Sequence, residues 1–138
     1  MTSPKVFISY SHDDDEWVRA FAEALRDQNV DVWFDQWDVA LGASLHDALE
    51  TGLRESDAMV TVVSRSNARS PNMFFELGLA LGMGKRLIPI VSKDLELSWI
   101  PFDLRTRRFV KKGSPMETAR EVASAVKKSE KSRTEDDR

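Results

Sequence analysis

The chain has 138 residues, 41% of them hydrophobic and 31% charged, so it can bury a core of its own as one soluble globular domain but is too short for two. The formal net charge of −3 argues against a basic groove along a phosphate backbone, so nucleic acid is not an expected partner. The lack of cysteine excludes disulfides and thiolate metal sites. With only His12 and His46, a histidine-based metal site or catalytic triad is not favoured either.

The elements alternate along the chain between short β-rich runs and segments of helical period, which predicts an α/β fold with a doubly wound parallel sheet. We expect five strands, with helices on both faces of the sheet. The predicted strands are residues 6–10, 30–34, 58–63, 87–91 and 108–111.

Four helices connect and follow these strands. The first is amphipathic and is expected to be capped by the acids at 13–15, the second follows the N-cap candidate Ser44, and the third begins at Ser70 and Pro71. Pro89 in the fourth strand indicates a bulge or an edge position. The final helix ends near residue 127, and the charged residues 128–138 are expected to form a disordered tail.

The first residues show no basic segment followed by a long apolar stretch, and no apolar run reaches the length of a bilayer span. We therefore expect a cytoplasmic protein without membrane contact.

In doubly wound sheets, ligands bind beyond the carboxyl ends of the strands, where the strand order reverses. Here that edge collects residues 9–14, 35–43 and 64–70 and the start of the third helix. No glycine-rich turn feeds a helix at this edge, which excludes the common phosphate-binding fingerprints. Ser64 stands where a phospho-accepting receiver domain would need an aspartate.

The third helix carries one acid, Glu76, in an otherwise apolar run from 73 to 81 that predicts burial on every side. Because a buried, unpartnered carboxylate costs several kcal/mol, Glu76 is expected to be paired, near the surface or on a ligand cleft. Its place near the end of the third strand favours the cleft. Stabilisation of the helix end explains it less well, since Glu76 lies in the second turn and Met73 rules out a capping box.

Three segments together resemble a TIR domain of the prokaryotic type, over roughly residues 5–127. They are VFISYSHDDDEWV, VDVWFDQWDVALGASLHDALETGLRESD and VTVVSRSNARSPNMFFELGLA. The second is the most specific, because W-x-D-x-W followed by a glycine-serine-leucine turn characterises bacterial members.

The resemblance implies a flavodoxin-like sheet, homotypic assembly and cleavage of NAD⁺ at the nicotinamide-ribose bond. NAD⁺ would be the substrate, with no separate cofactor and no metal. Glu76 matches the family's catalytic glutamate. The nicotinamide ring is positively charged before it leaves, so no strong general acid is needed, and one carboxylate beside the ribose can stabilise an oxocarbenium-like transition state.

The expected substrate-binding residues lie on the same edge, where hydroxyl groups suit ribose or phosphate and Trp37 either stacks on a ring or anchors the loop. Trp33 is expected to be a core residue, and Asp35 and Asp38 are expected mainly to cap the turn. Asn72 departs from the tryptophan that many family members carry there. The expected substrate-binding set is Ser9, Tyr10, Phe34, Asp35, Trp37, Ser64, Ser66 and Asn72.

The segment from 35 to 45 mixes apolar side chains with acids, which suits a contact with a second copy of the domain. The expected assembly loop consists of Trp37, Asp38, Val39, Leu41 and Gly42. The resemblance further implies a role in bacterial antiviral defence, with an oligomer or filament as the active form and another defence protein upstream or downstream.

Two alternatives remain open. The chain is a non-catalytic assembly module, or it is an enzyme like the nucleoside 2-deoxyribosyltransferases, whose P-N-x-x-x-E-L-G pattern also matches residues 71–78.

Overall fold

The computed structural model describes residues 3–34, 45–100, 104 and 107–136, with side chains for all of these except 34, 45, 46, 72 and 129–136. Within these ranges the strands form one five-stranded sheet in the order β2-β1-β3-β4-β5, and every neighbouring pair is parallel. The strands are β1 Lys5–Ser9, β2 Asp31–Phe34, β3 Ala58–Val63, β4 Arg86–Val91 and β5 Val110–Lys111. The predicted fold class is therefore confirmed.

Helices follow the strands as the alternating pattern predicts. They are α1 Asp15–Asp27, α2 Leu45–Arg54, α3 Pro71–Gly82 and α4 Pro115–Asp136. Short 3₁₀ turns lie at His12–Asp14 and Leu97–Trp99. No helix in the described part of the chain combines the length and apolar character needed to cross a membrane.

The period-two alternation of the strands divides the core between the two faces of the sheet. In β1, Val6 and Ile8 pack with residues of α1 and α4, whereas Phe7 packs with residues of α2 and α3. We call these two sides the α1/α4 face and the α2/α3 face. Because the alternation continues to the carboxyl ends of the strands, it also decides on which face each polar residue there lies.

Pro89 lies in an internal strand that pairs with β3 in unbroken register, so the prediction of a bulge or an edge position is wrong. The C=O of Val91 faces β5, where it accepts a hydrogen bond from the N–H of Lys112. The backbone polar groups of alternate residues in a parallel strand face the same neighbouring strand. The backbone nitrogen of Pro89 therefore also faces the β5 side, but β5 pairs only with Ile90 and Val91. The missing N–H of Pro89 costs no ladder hydrogen bond, because β5 is too short to reach it.

Two further details differ from prediction. Ser11 caps the 3₁₀ turn that precedes α1, where its Oγ accepts the N–H of Asp13 at 3.4 Å. Asp14 stands at the N-cap of α1, but its side chain makes no cap hydrogen bond there. The backbone of α4 is helical to Asp136, past the expected start of the tail at 128, since this segment contains no glycine or proline and many good helix formers. The domain boundary at 127 itself stays a prediction.

Candidate functional site

The switch point of the sheet lies between β1 and β3, since the chain leaves β1 toward β2 on one side and then returns to β3 on the other. Ser9 is the last residue of β1 and follows Phe7 by two, so it lies on the α2/α3 face. α3 begins at Pro71, soon after β3 ends at Val63. The start of α3 therefore lies at this switch point, as the sequence predicts.

Glu76 and Ser9 meet at this edge. The Ser9 hydroxyl donates a hydrogen bond to the Glu76 carboxylate at Oε2, although the two residues lie 67 positions apart in the sequence. Ser9 is only 3% exposed, whereas Glu76 is half-buried. A catalytic carboxylate needs a fixed support and access to a ligand, and this pair provides both.

The sides of α3 differ strongly in burial. Met73, Leu77 and Ala80 pack into the core against the sheet, but Phe74 and Phe75 are 53% and 46% exposed. The prediction that the helix is buried on every side is therefore wrong, because in a layered sheet only one side of the helix contacts the strands. Glu76 lies between the buried and the exposed sides.

Ser64 lies on the opposite side of the sheet from Ser9. It follows Val62, a core residue of the α1/α4 face, by two positions. Its hydroxyl donates to Asp14 Oδ2 at 2.7 Å, and Lys112 Nζ lies 3.5 Å from the other carboxylate oxygen. The N–H of Ser64 donates to Asn67 Oδ1 at 2.9 Å. The structure therefore ties Ser64 into a network of its own and does not bring it together with Glu76.

Tyr10 also belongs to the α1/α4 face. Its ring is 5% exposed within that core, and its hydroxyl donates to Asp15 Oδ1 at 3.1 Å. Ser66 is exposed in the turn between β3 and α3. Of the hydroxyl groups predicted to bind substrate, that of Ser9 bonds Glu76. The substrate contacts of all four hydroxyl groups stay predictions.

The remaining predicted residues fall outside what the structure describes. Phe34 and Asn72 belong to β2 and α3, but their side chains lie outside the described set. The same holds for every residue of the predicted assembly loop and for Asp35. Trp33, expected in the core, stacks on Phe7 with ring centroids 4.9 Å apart.

The polar network around Ser64 is the main feature that sequence reasoning missed. Asp14 belongs to an acidic run that resembles a helix cap, and Lys112 lies 98 positions further along the chain, so no local pattern links them. Asn67 had a local signal, because the side chain of an asparagine in a turn often bonds nearby backbone groups, here the N–H of Ser64. Its Nδ2 also donates to the C=O of Val62 at 2.7 Å.

A cleft of about 400 Å³ opens on the α1/α4 face. It is bounded by the N-terminus of α1, Lys112 and the start of α4. The Nζ of Lys112 lies 5.0 Å from the ring centroid of Trp17. Three carboxylates line the cleft and disfavour a pyrophosphate ligand, so the cleft is not the candidate site. Its lining residues are Asp13, Asp14, Glu16, Trp17, Ala20, Lys112 and Pro115.

No group of three or more acidic or histidine side chains in the described ranges is arranged to hold a metal ion.

Comparison with known proteins agrees with the geometry. Residues 6–129 match the family model for the TIR domain. The chain is 33% identical over 103 residues to the 2′ cyclic ADP-D-ribose synthase BtTIR of Bacteroides thetaiotaomicron, with 69% of the chain and 36% of that protein aligned. It is 38% identical over 61 residues to the NAD(+) hydrolase TcpA of a Theionarchaea archaeon, with 44% of the chain and 18% of that protein aligned.

Among solved structures, the TIR domain of the Toll-related receptor TRR-2 from Hydra magnipapillata superposes with a TM-score of 0.67 at 19% identity. The match covers 77% of this chain and 82% of that one, and at this identity it shows the fold alone. The chain spans little more than a third of the curated synthase and less of the hydrolase. Because the family match extends over most of the chain and the sheet has the expected topology, the chain belongs to the TIR domain family.

Proposed function

We propose that the chain cleaves the nicotinamide-ribose bond of NAD⁺. The observation that carries this proposal is Glu76, a half-buried carboxylate fixed by Ser9 at the switch point of the sheet. Doubly wound sheets bind their ligands at this place. The names of two relatives support the choice of substrate, since one is an NAD(+) hydrolase and the other a cyclic ADP-D-ribose synthase.

The reaction needs little from the protein besides a positioned negative charge. The bond between the ribose C1′ and the nicotinamide nitrogen breaks, and its electron pair neutralises the positive pyridinium ring. The sugar then carries oxocarbenium-like charge, which the Glu76 carboxylate stabilises. Water that attacks C1′ yields ADP-ribose and a proton, whereas a nucleophile of the same molecule yields a cyclic isomer and a proton.

The proposal includes activation by self-association. Phe74 and Phe75 are exposed on α3 beside Glu76, and neighbouring exposed aromatic side chains suit a protein contact. A second copy that docks here, through the predicted assembly loop, would shield the carboxylate from bulk solvent. Such coupling suits an effector of antiviral defence that acts in the cytoplasm when another defence protein triggers its assembly.

The test incubates purified protein at increasing concentration with NAD⁺ and measures released nicotinamide. The matched control is Glu76→Gln, which keeps the size of the side chain and removes its charge. We expect nicotinamide release by wild type and a loss of at least about a hundredfold in the variant, the scale seen when a key electrostatic group is removed. Equal release by both proteins would overturn the catalytic assignment.

The same assay separates the alternatives. Specific activity that rises with protein concentration supports self-association, and constant specific activity contradicts it. No nicotinamide at any concentration would favour the non-catalytic assembly module. Base exchange with deoxynucleosides, offered in parallel, would favour the deoxyribosyltransferase-like enzyme.

A further inference from the structure

We infer that Ser9 is a positioning residue that orients the Glu76 carboxylate and does not itself contact the substrate. This inference rests on the proposed function of Glu76. Its starting observation is the hydrogen bond from the Ser9 hydroxyl to Glu76 Oε2. A hydroxyl at this edge has two roles open to it, since it can bind the sugar directly or hold the group that acts on the sugar.

Burial favours the positioning role. Ser9 is 3% exposed, so it offers almost no surface to a ligand, while Glu76 is half-buried and accessible. Any substrate that reaches this edge therefore meets the carboxylate before the serine. The hydroxyl acts from behind the carboxylate, through the bond to Oε2.

The backbone makes Ser9 a rigid support. β1 lies between β2 and β3 and is paired with both, and Ser9 itself is in register with Thr61 of β3. Glu76 is a long side chain that loses considerable rotamer freedom when it is fixed. One bond to a donor on a central strand restricts the plane of the carboxylate and hence the direction from which its charge meets C1′.

The neighbouring strand supplies an internal control. Thr61 is the register partner of Ser9, which places both side chains on the α2/α3 face. Thr61 is fully buried, and among the described residues its Oγ1 has no hydrogen-bond partner. Two adjacent hydroxyls thus share one environment, but the bond to Glu76 comes from Ser9. Thr61→Val therefore removes a hydroxyl from this face without removing a bond to the carboxylate.

The kinetic test compares Ser9→Ala with Thr61→Val in the nicotinamide-release assay. We expect Ser9→Ala to lower kcat roughly ten- to a hundredfold, the scale of a misplaced catalytic group, with KM for NAD⁺ within about twofold of wild type. Thr61→Val should leave both constants within about twofold. A raised KM with unchanged kcat in Ser9→Ala would show that Ser9 binds substrate, and unchanged constants would show no role; either overturns the inference.

A double variant tests whether Ser9 acts through Glu76. In the Glu76→Gln background, Ser9→Ala should cause no further loss of the residual rate, because the group that it positions is already gone. A further loss as large as in the wild-type background would contradict the inference. If Ser9→Ala does not fold, as judged by circular dichroism, Ser9→Cys tests the same bond with a weak thiol donor and should lower kcat in the same way.

Crystal structures of wild type and Ser9→Ala answer the question without turnover. We expect a single Glu76 carboxylate orientation bonded to Ser9 in wild type and a rotated or disordered carboxylate in the variant. An unchanged Glu76 in the variant would overturn the inference, even for a chain that does not cleave NAD⁺. Failure of wild type to release nicotinamide, by contrast, counts against the proposed function alone.

Discussion

Two serines at the carboxyl ends of neighbouring strands each donate to a carboxylate, but the two pairs lie on opposite faces of the sheet. Ser64 bonds Asp14 on the α1/α4 face, where Lys112 supplies a counter-charge and the Asp14 side chain is only 12% exposed. Ser9 bonds Glu76 on the α2/α3 face, beside exposed aromatic side chains. The first pair joins three elements into a closed network, and the second presents its acid to the outside.

A cleft alone does not mark the ligand-binding edge of this sheet. The cleft of about 400 Å³ lies on the α1/α4 face, and Asp14 is one of its acids. The Asp14 carboxylate already accepts hydrogen bonds from the Ser64 hydroxyl and the Lys112 ammonium group. The α2/α3 face instead has a carboxylate at the switch point, where doubly wound sheets bind their ligands. This carboxylate accepts from a donor on a central strand and remains accessible to solvent.

The largest expected effect comes from replacing a carboxylate by its amide, once on each face of the sheet. Glu76→Gln should reduce nicotinamide release by at least about a hundredfold with little change in folding stability. Asp14→Asn should keep turnover within about threefold but lower the free energy of unfolding by about 1–2 kcal/mol, since it loses the ion pair with Lys112 and weakens the bond from Ser64. Urea denaturation and the release assay measure the two quantities on the same samples.

An Asp14→Asn protein that is stable but inactive would break this comparison, because it would place the catalytic centre on the α1/α4 face. A Glu76→Gln protein with full activity would also contradict it, because turnover would then not need the carboxylate on the α2/α3 face.

A smaller effect is expected where the backbone of α2 approaches the sheet. A Cβ on Gly52 would lie 2.7 Å from Cδ2 of Trp33, whose ring is stacked on Phe7 and cannot shift freely. Gly52→Ala should lower the free energy of unfolding by about 1–3 kcal/mol, the usual cost of overpacking. The matched control is Gly78→Ala on α3, where a Cβ meets nothing within 4 Å.

Gly78→Ala should instead stabilise the protein by up to about 1 kcal/mol, because it removes backbone freedom from the unfolded helix segment. Both changes are read from thermal or urea unfolding. Equal effects of the two substitutions would show that α2 does not approach Trp33 closely in solution.

Much of the fold follows from the sequence, and so does the place of Glu76 in the candidate site. The alternation of strands and helices predicts the sheet, and the isolated acid in an apolar helix predicts that Glu76 lies at its binding edge. The exposure of Phe74 and Phe75 does not follow, since an apolar pattern without a polar side suggests burial all round. Only the layered packing shows which side of α3 meets the strands.

The partners of the site serines are harder to predict because they are distant in sequence. The Ser64–Asp14 bond spans 50 positions and the Ser9–Glu76 bond 67, so neither has a local pattern. The face on which each serine lies was nevertheless predictable. Counting alternate residues from the apolar positions of β1 and β3 assigns Ser9 to one face and Ser64 to the other, once the strand ends are known.

The smallest expected effect compares two buried hydroxyl groups on the α2/α3 face, of which only that of Ser9 bonds Glu76. Thr61→Val replaces a buried hydroxyl, which has no partner among the described residues, by a methyl group of similar shape and should raise the free energy of unfolding by about 0.5–1 kcal/mol. Ser9→Ala removes a hydroxyl that is bonded to a carboxylate and should lower it by about 1 kcal/mol. Urea denaturation of both variants resolves the two signs. Destabilisation by Thr61→Val would mean that this hydroxyl has a partner in solution; opposite signs would show that the bond to Glu76, and not burial alone, sets the value of a hydroxyl on this face.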